Sequence, residues 1–297
     1  MPRSDPARRH RPLATALVLG FFLAAGGGYL MLLRADQRRP PPARPPASFG
    51  VALTAGTSPD QVQSDTGAWF YAYWFDSPVS QASLSLNLKT VSGRAESPAG
   101  GAYFLLPIGV ELREVRLTRW ATPAAAEREV RQPGQAEEAV PRTPVDGRLI
   151  RVPFPAQWAR LQIQLDLMID QAIYSRPSRI AERAISVEFG SLDALAAAAD
   201  VRPLLQFADG GPAQKLRVSL DYGLDPVETE FESFPQPTQV DTKLYWEKDM
   251  TADGWIRIDA YLANATGRFW ARQLDTVALL ILGAVLGLLA DRGMNRE

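Results

Sequence analysis

Two stretches, Ser83-Leu84-Ser85-Leu86-Asn87-Leu88-Lys89 and Arg160-Leu161-Gln162-Ile163-Gln164-Leu165-Asp166-Leu167, alternate polar and apolar residues without interruption. Successive side chains of an extended chain point to opposite faces, so a period of two puts the aliphatic set on one side and the polar set on the other. Both stretches read as half-buried strands. Shorter alternation marks Ile185/Val187/Phe189, Leu216/Val218/Leu220 and Ile256/Ile258. Trp69–Phe75 and Tyr103–Ile108 are apolar at consecutive positions and read as strands covered on both faces. Across Val110, Leu112, Val115 and Leu117 the apolar set slips by one residue, which a β-bulge would reconcile.

With about nine such runs, frequent Pro and Gly punctuation and few helical windows, the expected class is mainly β, with an antiparallel β-sandwich as one domain or two small ones. Ser191–Ala199, SLDALAAAA, is the exception: a short helix with Ser191 as its N-cap, covering a sheet edge or joining two sheets. Residues 121–147, rich in Ala, Glu, Arg and Pro, read as a long exposed loop and a candidate subdomain boundary.

Outward from the strands lie two apolar segments. Leu13–Leu33 is 21 residues without a charge, preceded by Pro12 and followed by Arg34. Its length matches the hydrocarbon core of a bilayer, which takes ~20 residues of helix. Cleavage after the small residues Ala24–Gly28 would leave Tyr29–Leu33 as a greasy N-terminus, so the segment reads as an uncleaved anchor. The second apolar run, Thr276–Ala290, lies between Asp275 and Asp291 and spans only ~23 Å at ~1.5 Å per residue. Phe269, Trp270 and Arg272 extend it toward the headgroups.

The expected organisation is an Arg-rich cytoplasmic tail (1–11), a transmembrane helix (12–34), a Pro-rich linker (35–47), an extracytoplasmic β-sandwich (48–268), a second transmembrane helix (269–291) and a cytoplasmic tail (292–297). This places the protein as a two-pass component of the plasma (inner) membrane of a bacterium. The arginine counts flanking the two segments barely distinguish the sides; cytoplasmic termini are favoured because the first helix usually sets the topology. RRPPPARPPA (Arg38–Ala47) forms a semi-rigid polyproline stalk. Gly20, Ala24 and Gly28 in the first segment, and Gly283 and Gly287 in the second, recur at helical spacing and offer close-packing faces, either to each other or to a second copy.

Charge and composition exclude several functions. Residues 47–273 carry 28 acidic against 22 basic side chains, and no basic stripe is present for nucleic acid. There is no cysteine, and the sole histidine, His10, lies in the Arg-rich tail. Triads built on histidine and typical catalytic zinc sites therefore cannot form in the large domain. No metal or other cofactor is expected.

Three constellations are left as candidates. Trp69, Tyr71, Tyr73 and Trp74 belong to the densest aromatic cluster in the chain; they are either core or a surplus aromatic surface for a ligand or partner. Asp249, Asp253 and Gly254 read as a turn rather than a calcium loop. Glu228, Glu230 and Glu232 in VETEFESF alternate along one strand face. That spacing resembles the catalytic strand of laminarinase-like jelly-roll glycosidases, with Glu230 where that family has aspartate. The resemblance implies an envelope polysaccharide hydrolase using Glu228 and Glu232. The plainer reading is a charged strand kept from pairing with others.

The function these features favour is a membrane-anchored, non-catalytic binding or scaffolding module at the bacterial cell envelope. Its expected partners are the lipid bilayer and a protein or envelope polymer, with a homo-oligomer through the helices as a further option. An accessory subunit of a channel or transporter is a third reading.

Overall fold

The structure is a computed structural model. It describes residues 20, 21, 24, 26–28, 48–73, 79–121, 129–179, 182–189, 192–202, 215–221, 227–231, 238–240, 243–249 and 256–294. The chain divides into two compact units, one of Pro40–Arg176 with Ala184–Leu262, the other of Met1–Arg39, Pro177–Arg183 and Ala263–Glu297.

The first strands in chain order are β1 (Ser48–Thr54), β2 (Val62–Tyr73), β3 (Val79–Thr90), β4 (Gly101–Pro107) and β5 (Val110–Trp120). They are followed by β6 (Glu129–Pro133), β7 (Glu137–Ala139), β8 (Gly147–Pro153) and β9 (Arg160–Asp170). A helical turn, α1 (Gln171–Tyr174), leads to β10 (Ser175–Arg179), β11 (Glu182–Phe189) and the helix α2 (Leu192–Ala198). The remaining strands are β12 (Val201–Arg202), β13 (Lys215–Asp221), β14 (Val227–Phe231), β15 (Thr238–Val240), β16 (Lys243–Asp249) and β17 (Ile256–Asn264), before the helix α3 (Ala265–Met294).

Within the larger unit the strands form two sheets. The first runs β14-β17-β11-β1-β4-β8-β7 with β12 also paired to β1, and the second runs β15-β16-β13-β2-β3-β9-β5-β6. The fold is mainly β, as the alternation implies, but the purely antiparallel expectation is corrected. β1 pairs with β11 in parallel and β2 pairs with β13 in parallel, so both sheets are mixed. At each of these seams a strand from the first part of the chain meets one from the last part. Alternation reports which face of a strand is dry and carries no information on the direction of its neighbour.

One apolar core joins the two sheets. β9 has every second residue buried from Leu161 to Ile169, and β3 buries Leu84, Leu86 and Leu88 against the same core. At the centre, Phe49, Phe70 and Phe189 lie with ring centroids 4.5–5.0 Å apart, joining β1 and β11 of one sheet to β2 of the other. The slip in β5 is a bulge: its register with β9 shifts between Leu112 and Glu114. Arg113 is the extra residue, and it lets Val110 and Val115 both turn inward.

A second, smaller cluster covers the other face of the first sheet, where Leu195 and Ala199 pack on Ala52, Leu105 and Leu149. α2 thus lies over a sheet face rather than an edge; its expected cap, Ser191, is outside the described residues. Gly50 is the seat of this helix, since a Cβ there would lie 2.3 Å from Leu195 Cδ1. Two-sided cover explains why Tyr103–Leu106 is apolar throughout, since β4 lies between the core and this cluster; Ile108, expected in the same strand, lies beyond its end and is exposed.

For Trp69–Phe75 the two-sided reading is corrected. β2 ends at Tyr73, and from Trp69 to Tyr73 only Phe70 and Ala72 are buried, while Trp69 is 43 % and Tyr73 38 % exposed. Part of residues 121–147 is strand rather than loop. β6 extends the second sheet from β5 and β7 extends the first from β8, so the segment carries the chain from one sheet to the other. Both are largely exposed, so neither shows an apolar period.

Among the described residues no helix is long and apolar enough to cross a membrane, so the pair of flanking spans expected from the sequence has no counterpart there. α3 is 30 residues long, but its apolar run is bounded by Asp275 and Asp291, which leaves it short of the ~20 residues a bilayer takes.

Candidate functional site

The second sheet has one face on the core and the other turned outward, and the pairing register lines up the outward residues in rows. Arg217, Trp69, Ser85 and Gln164 form one row; Ser219, Tyr71, Ser83 and Asp166 form the next; Asp221, Tyr73, Gln81 and Met168 form the third. β16 extends the rows with Glu247, Tyr245 and Lys243, and β5 extends them on the other side with Arg116, Glu114 and Glu111. Three aromatic side chains of β2 therefore stand side by side, with Tyr245 and Met168 in the same rows, on a surface whose remaining positions are polar.

Polar contacts hold this face in place. Tyr71 Oη donates to Asp221 Oδ2 at 2.8 Å, and Lys243 Nζ lies 3.5 Å from the same oxygen and 5.7 Å from the centre of the Tyr71 ring. Asp221 is only 5 % exposed, so its charge is tolerated through these partners. Tyr71 and Tyr73 meet edge to face at 4.8 Å. Partial burial first, then hydrogen bonding with Tyr73 and Asp221, pushes the Tyr71 phenol well above the ordinary tyrosine range. Tyr71 thus keeps its proton and donates it in the hydrogen bond to Asp221. Ser219, fully buried between Tyr71 and Tyr245 in the register, has no hydrogen-bond partner for its Oγ among the described residues.

Beside this cluster a cleft of about 310 Å³ opens, with Tyr71 and Tyr73 on one wall, Arg113 and Arg116 on the other, and Gln81 and Ser83 between them. Its charges are paired. Arg116 bridges to Asp166 and lies 3.5 Å from Glu114, Arg113 lies 3.1 Å from Glu111, and Gln164 Nε2 donates to Asp166 Oδ1 at 2.9 Å. The arrangement sets aromatic edges beside ion-paired guanidinium and carboxylate groups and amide and hydroxyl side chains.

Of the residues singled out from the sequence, Trp69, Tyr71 and Tyr73 share this face, and Trp74 lies outside the described residues. Glu228 and Glu230 fall in β14 of the first sheet, on a different sheet from the aromatic face, and Glu232 lies outside the described residues. Asp249 ends β16, while Asp253 and Gly254 are outside. Among the described residues no group of three or more His, Cys, Asp or Glu is placed to hold a metal ion. In the smaller unit, a Cβ on Gly20, Gly28, Gly283 or Gly287 would meet nothing within 4 Å, and Ala24 is exposed. Gly26 is the glycine that faces across, with its Cβ position 3.9 Å from Leu282 Cδ1.

Asp221, Lys243, Arg116 and Asp166 were not apparent as site residues in the sequence. Each sits at a polar position of an alternating strand, but only the register brings them together.

No family model matches this chain, and no curated protein does. Among solved structures, a Legionella pneumophila protein described as a candidate nutrient-binding protein is similar over 72 % of this chain and 71 % of its own, at 10 % identity and a TM-score of 0.39. Leukotriene A4 hydrolase from Saccharomyces cerevisiae is similar over 75 % of this chain, at 10 % identity and a TM-score of 0.36. An M1 zinc metallopeptidase from Deinococcus radiodurans is similar over 70 % of this chain, at 7 % identity and a TM-score of 0.32. This chain spans 31 % of the hydrolase and 43 % of the peptidase.

Proposed function

We propose that this chain is a membrane-anchored β-sandwich that binds a partner or polymer of the bacterial cell envelope through the outer face of its second sheet, without transforming it. The observation that carries the reading is the exposure of Trp69 and Tyr73 in nearby rows of a face whose charged groups are already paired. Large aromatic side chains left open to water beside ordered polar groups are the usual material of recognition sites. Glu228 and Glu230 belong to the other sheet and add nothing to this face, which favours binding without turnover.

Membrane attachment is supported by the uncharged run Leu13–Leu33 and by α3, where Phe269, Trp270 and Leu280 are each more than half exposed. Such side chains on a helix surface are poorly placed in water and well placed at a lipid interface. In this reading both termini are cytoplasmic and the sandwich is extracytoplasmic.

The test has two readouts. Full-length protein is expected to sediment with membranes, to stay there in high salt and to be released by detergent. In detergent it is expected to retain isolated envelope material, and Trp69→Ala is expected to lower that retention at least ~10-fold with unchanged circular dichroism, a loss of ~1.4 kcal/mol or more. Retention unaffected by Trp69→Ala would remove the face from the account.

A further inference from the structure

We infer that the cleft on the second sheet takes a neutral, hydroxyl-rich oligosaccharide. This deepens the reading of that face as the binding surface and rests on it. Three observations point the same way.

The first is charge. Both guanidinium groups of the cleft, Arg113 and Arg116, already face carboxylates, and Asp166 receives both Arg116 and Gln164. Three carboxylates, Glu111, Glu114 and Asp166, face the two guanidinium groups, so a polyanion finds no surplus positive charge here and a polycation a surplus of one negative charge. A neutral ligand leaves the pairs intact and uses their remaining donors and acceptors. Sugar hydroxyls each donate and accept, so they complement such mixed, fixed groups.

The second is the aromatic wall. Tyr73 is 38 % exposed and its ring is braced edge to face by Tyr71, which Asp221 in turn holds by its hydroxyl. A braced ring offers a flat apolar surface at low entropic cost, suited to the C–H face of a pyranose.

The third is the pairing of the cleft floor, which bears on an extended peptide as occupant. Peptides added to sheets draw affinity from free main-chain groups at an edge. Here the walls and floor come from β2, β3, β9 and β5; β2, β3 and β9 are paired on both sides, while β6 pairs with β5 from Arg116 to Trp120, which leaves Glu111–Glu114 without a strand partner on that side among the described residues. Over β2, β3 and β9 a ligand therefore meets side chains alone.

The experiment uses the full-length protein in a zwitterionic, sugar-free detergent, titrated calorimetrically with hexasaccharides of glucose and of N-acetylglucosamine. Saturable binding is expected to at least one of them, changing less than ~2-fold between about 0.05 and 0.5 M NaCl because no net charge is engaged. Tyr73→Ala is expected to weaken it at least 10-fold and Tyr73→Phe to restore it; should Tyr73→Ala fail to fold, Gln81→Ala gives the same test from the floor. No binding to either sugar, with envelope retention still dependent on Trp69, overturns the sugar assignment and leaves the face as the binding surface. Salt-sensitive binding to polygalacturonate in place of the neutral sugars also overturns it. Retention independent of Trp69 overturns both readings.

Discussion

Tyr174 is fully buried and donates its hydroxyl to the carbonyl of Ile108, and burial together with the charge of Asp170 holds its phenol well above the ordinary tyrosine range. Tyr71 is raised as well, by its own partial burial and its partners. A raised tyrosine keeps its proton in the folded state after the unfolded chain has lost it. Its contribution is therefore complete below pH ~10, the unfolded value, and declines as pH rises above that toward the folded value. Denaturant unfolding of the wild type is expected to lose stability above pH ~10. Tyr174→Phe is expected to be less stable at pH 8 by ~1 kcal/mol for the lost hydrogen bond, and to decline less steeply above pH 10. Parallel pH profiles for the two proteins would contradict this. Adjacent positions on β2 make a second test. Phe70 fills the centre of the core and Trp69 faces outward, so Phe70→Ala is expected to cost about 3–5 kcal/mol in denaturant unfolding and Trp69→Ala under ~1.

At the scale of elements, α2 rests on β1 where Gly50 leaves room for Leu195. Gly50→Ala forces Leu195 or the whole helix to shift, and overpacking of this kind costs about 1–3 kcal/mol. The pair Gly50→Ala with Leu195→Ala is expected to recover part of that loss relative to Leu195→Ala alone, and strict additivity in thermal denaturation would argue against the seat. The strands that were legible in the sequence are those with one dry face, such as β3 and β9, because burial on one side writes a period of two into the chain. The bulge at Arg113 was legible for the same reason: it shifts that period by one residue. β6 and β7 are largely exposed and left no such mark. The direction of β11 and β13 was equally hidden, since pairing is a property of two segments distant in sequence. The site follows the same rule: the aromatic run was visible as composition, whereas Asp221 and Lys243 join it only through the β2–β13–β16 register.

At the scale of the molecule, the larger unit has one sheet covered by α2 on its outer side and another whose outer side carries Trp69, Tyr71, Tyr73 and paired charges. This asymmetry gives the sandwich two unlike outer sides, with binding proposed for the second. The most direct test is photo-crosslinking in intact cells from a probe placed at Gln81, on the cleft floor, compared with one at Ala197, exposed on α2. The account predicts crosslinks to envelope material from position 81 and none from 197. Crosslinks from 197 with none from 81 would contradict it.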